Sequence, residues 1–233
     1  MFTAVWERFA NAFLTDNCDG LIRIVLGLEN TMIIALGALV IGIIIGIFLA
    51  VARVIPKTNC VVKILSAAAT AYVTFFRGTP IVVQLLLMYY GIFATSGISA
   101  LVIAVAVFGM NSGAYVSEII RSGIQSVDYG QTEAGLSLGL SYSTTMGEIV
   151  LPQAIKNILP ALGNELIALI KDTSVAGFIT VFDVTRATRV VITKTYDALV
   201  PYLFLALVYL VIVMIATKLV SILERRLRES DTH

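Results

Sequence analysis

Residues 81–117 run for thirty-seven positions without a single Asp, Glu, Lys or Arg, and a segment of that kind has few places to go. A helix needs roughly 20 apolar residues to cross the hydrocarbon core of a bilayer, so the stretch is too long for one crossing and suits two. Thr95, Ser96 and Gly97 supply a turn near its middle, and the expectation is a helical hairpin with a very short connection. Residues 31–52 form a second uncharged run, closed by Arg53. Over the whole chain 58% of residues are hydrophobic and 13% charged, with a mean hydropathy of +0.94. That is too little polar surface to cover a water-soluble globule, so the chain belongs in a bilayer.

Five crossings fit the length. The first is residues 31–52, in which Gly37, Gly42 and Gly46 read as helix-packing contacts. The second begins near Lys63 and is interrupted by Arg77-Gly78-Thr79-Pro80. Proline removes a backbone donor and crowds the preceding turn, which predicts a break at membrane depth where protein or water must satisfy the freed groups. The third is the second arm of the hairpin, the fourth spans about residues 157–184, and the fifth about 199–220. Hydropathy alone leaves the fourth weak, because it carries Glu165, Lys171 and Asp172.

Orientation supports it. If the fourth segment crosses, Arg53, Lys57, Lys63, Arg121, Lys156, Lys218, Arg225, Arg226 and Arg228 share one side, nine basic residues against five (Arg8, Arg23, Arg186, Arg189 and Lys194). The basic side is cytoplasmic by the positive-inside rule. The fold class is therefore an all-α, multi-pass integral membrane protein with five transmembrane helices, N-terminus outside and C-terminus cytoplasmic. Residues 1–29 read as an N-terminal interfacial segment in which Trp6, Phe9 and Phe13 act as an anchor, 30–225 as a single transmembrane domain, and 226–233 as a cytoplasmic tail. No signal peptide is expected, since Glu7, Asp16 and Asp19 interrupt the first twenty residues. Cys18 and Cys60 fall on opposite sides and should not pair. The lone His233 is terminal, so the sequence offers no metal cluster and no Ser/His or Cys/His catalytic pairing.

Two places carry chemistry. Asn111, Tyr115, Glu118 and Ser122 sit at i, i+4, i+7 and i+11, a polar stripe on an otherwise uncharged helix. Charge at membrane depth is costly and lines a wet pathway or pairs internally. Arg77, Glu118, Glu165, Lys171 and Asp172 are thus candidates for a pathway, or for ion pairs such as Arg77 with Glu118 or Lys171 with a carboxylate. The other place is residues 129–153, on the cytoplasmic side between the third and fourth spans. Leu136 and Leu140 are four apart, as are Met146 and Val150, which predicts two short amphipathic helices with Gly139 at the joint and Pro152 closing the second.

The spacing Glu133-Ala134-Gly135, Gly139, Ile149-Val150-Leu151-Pro152 resembles the signature loop of permease subunits of ATP-binding-cassette importers. Phe76-Arg77-Gly78-Thr79-Pro80 with Gln84, residues 115–124, and Lys171-Asp172-Thr173-Ser174 resemble the polar amino-acid uptake branch of that family, and the likeness covers roughly residues 30–225. It implies the type I importer fold, with Glu133, Ala134, Gly135, Gly139, Ile149, Leu151 and Pro152 coupling the permease to an ATPase. Gly135 departs from the commoner second Ala, which keeps the residue small while weakening the helix by roughly 1 kcal/mol.

The resemblance also implies partners: cytoplasmic ATP-binding-cassette ATPase subunits that hold ATP and Mg, an extracellular or periplasmic amino-acid-binding protein, and a second permease copy or a similar permease. Membrane lipid is expected, nucleic acid is not, and the location implied is the bacterial cytoplasmic membrane. No cofactor is expected on this chain. It lacks a phosphate-binding loop ending in Gly-Lys-Ser/Thr, so hydrolysis is assigned to the partner. Within such a permease, Arg77 is available to a substrate α-carboxylate, while Glu118 and Asp172 are available to an α-amino group or a cationic side chain. Asn111, Tyr115, Glu165 and Lys171 complete the candidate pathway. The competing reading is an ion-coupled secondary amino-acid transporter, which also uses broken helices and buried charge.

Overall fold

Unbroken runs of Leu, Ile, Val and Ala satisfy their backbone most simply as helix, and in a bilayer there is no water to offer another solution. The computed structural model describes residues 2–15, 18–56 and 59–229, and among these every regular element is helical. Asp16, Lys57 and His233, used above, lie outside the described residues, as does the tail from residue 230. The helices are α1 (Phe2–Phe13), α2 (Asp19–Val54), α3 (Cys60–Gly78), α4 (Ile81–Leu86), α5 (Ala100–Gln125), α6 (Tyr129–Ser137), α7 (Tyr142–Thr145), α8 (Leu151–Asp172), α9 (Val184–Thr195) and α10 (Leu199–Glu229). A π turn, Leu87–Ile92, extends α4; another, Met146–Val150, joins α7 to α8; and a 3-10 segment, Thr173–Ile179, follows α8.

Among the described residues, four helices are long and apolar enough to cross a membrane: α2, α3, α5 and the Leu199–Leu227 part of α10. The polar α8 is not among them. The break falls where the proline predicts it. The chain leaves α3 at Gly78, Thr79 is extended at φ −118° and ψ 142°, and α4 starts after Pro80. Gly97 turns the hairpin at φ +70°, a left-handed value that favours glycine.

Two expected helix boundaries differ from the structure. The first long helix starts at Asp19 and not near residue 30. Glu29 and Asn30 are polar but no helix breakers, and Asn30 Nδ2 donates to the Phe182 carbonyl at 2.9 Å. Pro152 does not close a helix; it stands in the first turn of α8. Its missing N–H is accommodated by the preceding π turn, where the Leu151 N–H reaches the Met146 carbonyl.

The chain divides into two compact units. One holds the described residues of Met1–Ala38, Pro80–Gly109 and Ile167–Ile215; the other holds those of Leu39–Thr79, Met110–Leu166 and Ala216–His233. In the first, Phe13 is fully buried with Ile24, Val184, Ala187 and Val191, and its ring lies 4.6 Å from that of Phe204. Of the three aromatic residues read as an anchor, Phe13 is thus core, while Trp6 is 58% exposed. Asp183 is fully buried and caps α9, accepting from the N–H groups of Thr185 at 3.1 Å and Arg186 at 3.0 Å. Asp19 binds Arg23 at 2.8 Å and Lys194 at 2.6 Å, tying α2 to α9.

In the second unit α2 and α5 run parallel. A Cβ on Gly42 would stand 2.7 Å from Ser112 Oγ, and one on Gly46 2.5 Å from Val116 Cγ1, so matched positions advance together along both helices. The small residues allow the backbones to approach. Replacing Gly46 by Ala is expected to lower stability by about 1–3 kcal/mol through overpacking, and Val116→Ala in the same chain should restore most of it. Thermal unfolding in detergent reads both, and an unshifted midpoint for Gly46→Ala would refute the close approach. By contrast α5 and α8 run antiparallel. Asn157 Nδ2 donates to Ser126 Oγ at 2.8 Å, Ile158 faces Gly123, and Ser112 Oγ donates to Glu165 Oε1 at 2.8 Å.

Candidate functional site

The segment expected to meet a partner is an ordered helical hairpin. Asp128 caps α6, its side chain accepting from Gly130 N–H at 2.8 Å. Ser141 caps α7, accepting from Thr144 N–H at 3.1 Å. Between them Gly139 takes φ +79°, and the Leu140 N–H returns to the Gly135 carbonyl at 3.1 Å. Gly139 is therefore at the joint because the turn needs a left-handed residue there. Glu133, Ala134, Gly139 and Pro152 are exposed, Ile149 and Leu151 half-buried, and Gly135 buried. Leu138 is 81% exposed, an apolar side chain offered outward next to the turn.

Gly135 is the inward contact of this hairpin. A Cβ there would stand 2.6 Å from Thr145 Cγ2 and 2.8 Å from Thr145 Oγ1, and Thr145 is fully buried with its hydroxyl unpartnered. Alanine at 135 would gain about 1 kcal/mol of helix propensity and lose about 1–3 kcal/mol to overpacking, so the clash wins. Gly135→Ala is expected to loosen α6 from α7 and speed proteolysis of residues 129–145, while Gly135→Ala with Thr145→Ala should digest as slowly as the parent. Equal digestion of all three would sink this account.

The four residues of the polar stripe on α5 each make a separate contact. Asn111 Nδ2 donates to the Phe76 carbonyl at 3.0 Å, close to where α3 ends. Tyr115 lies under the Arg77 guanidinium, 5.3 Å from its ring centre. Glu118 is held between Arg53, 3.0 Å away, and Arg121, with Arg53 Nη1 also 3.5 Å from Ser117 Oγ. The pairing of Arg77 with Glu118 offered above is thus not the one formed. Glu118 has two guanidinium partners, and among the described residues Arg77 has an aromatic ring but no carboxylate. Ser122 Oγ donates to the Ile119 carbonyl of its own helix at 3.0 Å.

Glu165 binds Ser112 in the same unit as Arg77, Asn111, Tyr115 and Glu118. Lys171 and Asp172 belong to the other unit, exposed at the end of α8. Sequence reasoning missed Arg53, read only as a flanking charge, and missed Ser112, Ser117 and Thr145. The glycine spacing on α2 was the available signal: a face that needs Gly42 and Gly46 carries its partner helix on toward residue 53.

The family model described as "Binding-protein-dependent transport system inner membrane component" matches residues 42–229. The arginine transport system permease protein ArtQ of Bacillus subtilis is 39% identical over 207 residues, 88% of this chain and 92% of that one. The L-cystine transport system permease protein TcyL of the same organism is 37% identical over 215 residues, 88% and 87% of the two chains. A chain from a solved structure titled "Crystal structure of an amino acid ABC transporter with histidines" superposes with a TM-score of 0.82 at 40% identity, covering 88% of this chain and 94% of that chain. A chain of the MetNI methionine ABC transporter, at 19% identity and a TM-score of 0.74, shares the fold. The family match covers most of the chain, and the protein belongs to the binding-protein-dependent transport system inner membrane component family.

Proposed function

We propose that this chain is the permease subunit of an ATP-driven, binding-protein-dependent importer of polar or charged L-amino acids in the bacterial cytoplasmic membrane. It crosses five times, with its N-terminus outside and C-terminus cytoplasmic. Working as a dimer with a second copy or a similar permease, it forms the pathway, while partner ATPases hold ATP and Mg and carry out hydrolysis. The observation that carries the reading is the exposed hairpin α6–α7, a rigid handle with Leu138 outward and Gly135 locked against Thr145. An ion-coupled carrier has no use for such a handle. The names of the relatives support the substrate class.

Arg77 is proposed to receive the substrate carboxylate. A guanidinium near the end of an apolar helix is costly without a counter-charge, and a carboxylate ligand supplies a bidentate one. Asn111, Tyr115 and Glu165 are its proposed companions, and Lys171 and Asp172 are further candidates at the end of α8. The two arginines on Glu118 support a structural role for that residue over amine recognition. The coupling set is Glu133, Ala134, Gly135, Gly139, Ile149, Leu151 and Pro152.

Purifying the assembly through this subunit and identifying its companions and retained amino acid by mass spectrometry tests the proposal. An ATPase and a binding protein should co-purify, and uptake in proteoliposomes should require ATP. Uptake driven by an ion gradient in vesicles holding this chain alone would overturn it.

A further inference from the structure

We infer that the groove between α1 and the first part of α10 holds one acyl chain of a phospholipid whose phosphate lies by Arg8. The groove has a volume of about 610 Å³ and is lined by apolar side chains, among them Trp6, Phe9, Val200, Leu203, Leu207 and Leu210. Three observations select the occupant. Leu203, Leu207, Leu210, Val211 and Met214 are exposed on α10, a helix of membrane-spanning length, so lipid tails and not water bathe the groove's mouth. Its course from Val200 to Leu210 is about 15 Å at 1.5 Å per residue, half of the roughly 30 Å hydrocarbon core and so the depth of one leaflet. At the Val200 end stands a cation: Arg8 is half-exposed and touches Asp197 through Nε at 3.2 Å, and a guanidinium has further N–H donors for a phosphate.

Burial itself gives little selectivity here, because lipid tails outside the groove are equally apolar. Retention must come from close contact with the aromatic wall and from the charge at the polar end. The inference needs only that the chain lies in a membrane.

Trp6 is the one tryptophan of the chain and lines the groove, so its fluorescence reports the occupant. The experiment uses the whole assembled transporter in detergent, titrated with phosphatidylglycerol carrying brominated acyl chains. Subtracting the same assembly bearing Trp6→Phe isolates the Trp6 signal. The expected result is saturable quenching at about one lipid per chain, since a single groove of one-leaflet depth admits one chain. Arg8→Gln, which leaves the lining intact, should weaken it roughly fivefold, the equivalent of one basic residue at a membrane surface. Ala206→Phe, which fills the groove, should remove the saturable phase and the phospholipid adduct seen by native mass spectrometry. Quenching that rises without saturation and is identical in parent and both variants would overturn the inference. So would disulfide capture of two copies through Leu203→Cys in native membranes, which assigns the groove to a second copy of this chain.

Discussion

Gly139→Val is expected to abolish ATP-driven uptake while leaving the subunit inserted in the membrane. The cause is backbone conformation and not bulk. Gly139 stands at φ +79°, and a Cβ built there meets nothing within 4 Å. A left-handed backbone costs an ordinary residue about 1–2 kcal/mol, a β-branched one more, and asparagine least. If the turn relaxes to escape that cost, α7 no longer faces α6 and the hairpin ceases to be one rigid handle. A graded series follows, with coupled uptake falling from Gly through Asn and Ala to Val. Uptake and stimulated ATP hydrolysis in proteoliposomes with the partner ATPase measure it. Full coupled transport by Gly139→Val, or an Asn variant as damaged as Val, would falsify the account, since Asn and Val are similar in size.

The second large effect is expected at Glu118. Replacing it by Gln removes the carboxylate that neutralises Arg53 and Arg121, whose side chains are only 16% and 30% exposed. Breaking a buried ion pair by deleting one partner costs about 3–5 kcal/mol, and the partial exposure of this cluster places it toward the lower figure. The variant should lose thermal stability in detergent and accumulate less. Arg53→Met added to Glu118→Gln removes the more buried orphan charge and should recover much of the loss. A Glu118→Gln protein of unchanged midpoint with a raised KM for amino acid would reverse the assignment and make Glu118 a substrate contact.

Much of this was legible in the chain because the relevant physics is local. Pro80 forces extended backbone at Thr79, and Gly97 and Gly139 mark left-handed turns, so the helix break, the hairpin turn and the joint stand at the residues that dictate them. What periodicity does not encode is the partner of each side chain. Asn111, Tyr115 and Glu118 share a helix face, yet one meets the Phe76 carbonyl, one Arg77, and one Arg53, sixty-five residues away. The α2 start at Asp19 is hidden from composition because Glu29 and Asn30 resemble a boundary, though neither breaks helical geometry. Pro152 is a related case: it stands in the first turn of α8, and the wide turn before it takes up its missing N–H.

The wide turn at Met146–Val150 has a further consequence, one of angular phase. Each helical residue advances the side chain by about 100°, and a π turn carries one residue more than an α turn. The orientation of α7's outer face relative to the faces of α8 is therefore fixed by that single additional residue. One inserted or deleted position between 146 and 150 would leave both helices intact and turn the face by more than a quarter of a revolution. The number of residues in this segment is thus a constraint of its own, separate from the side chains that it carries.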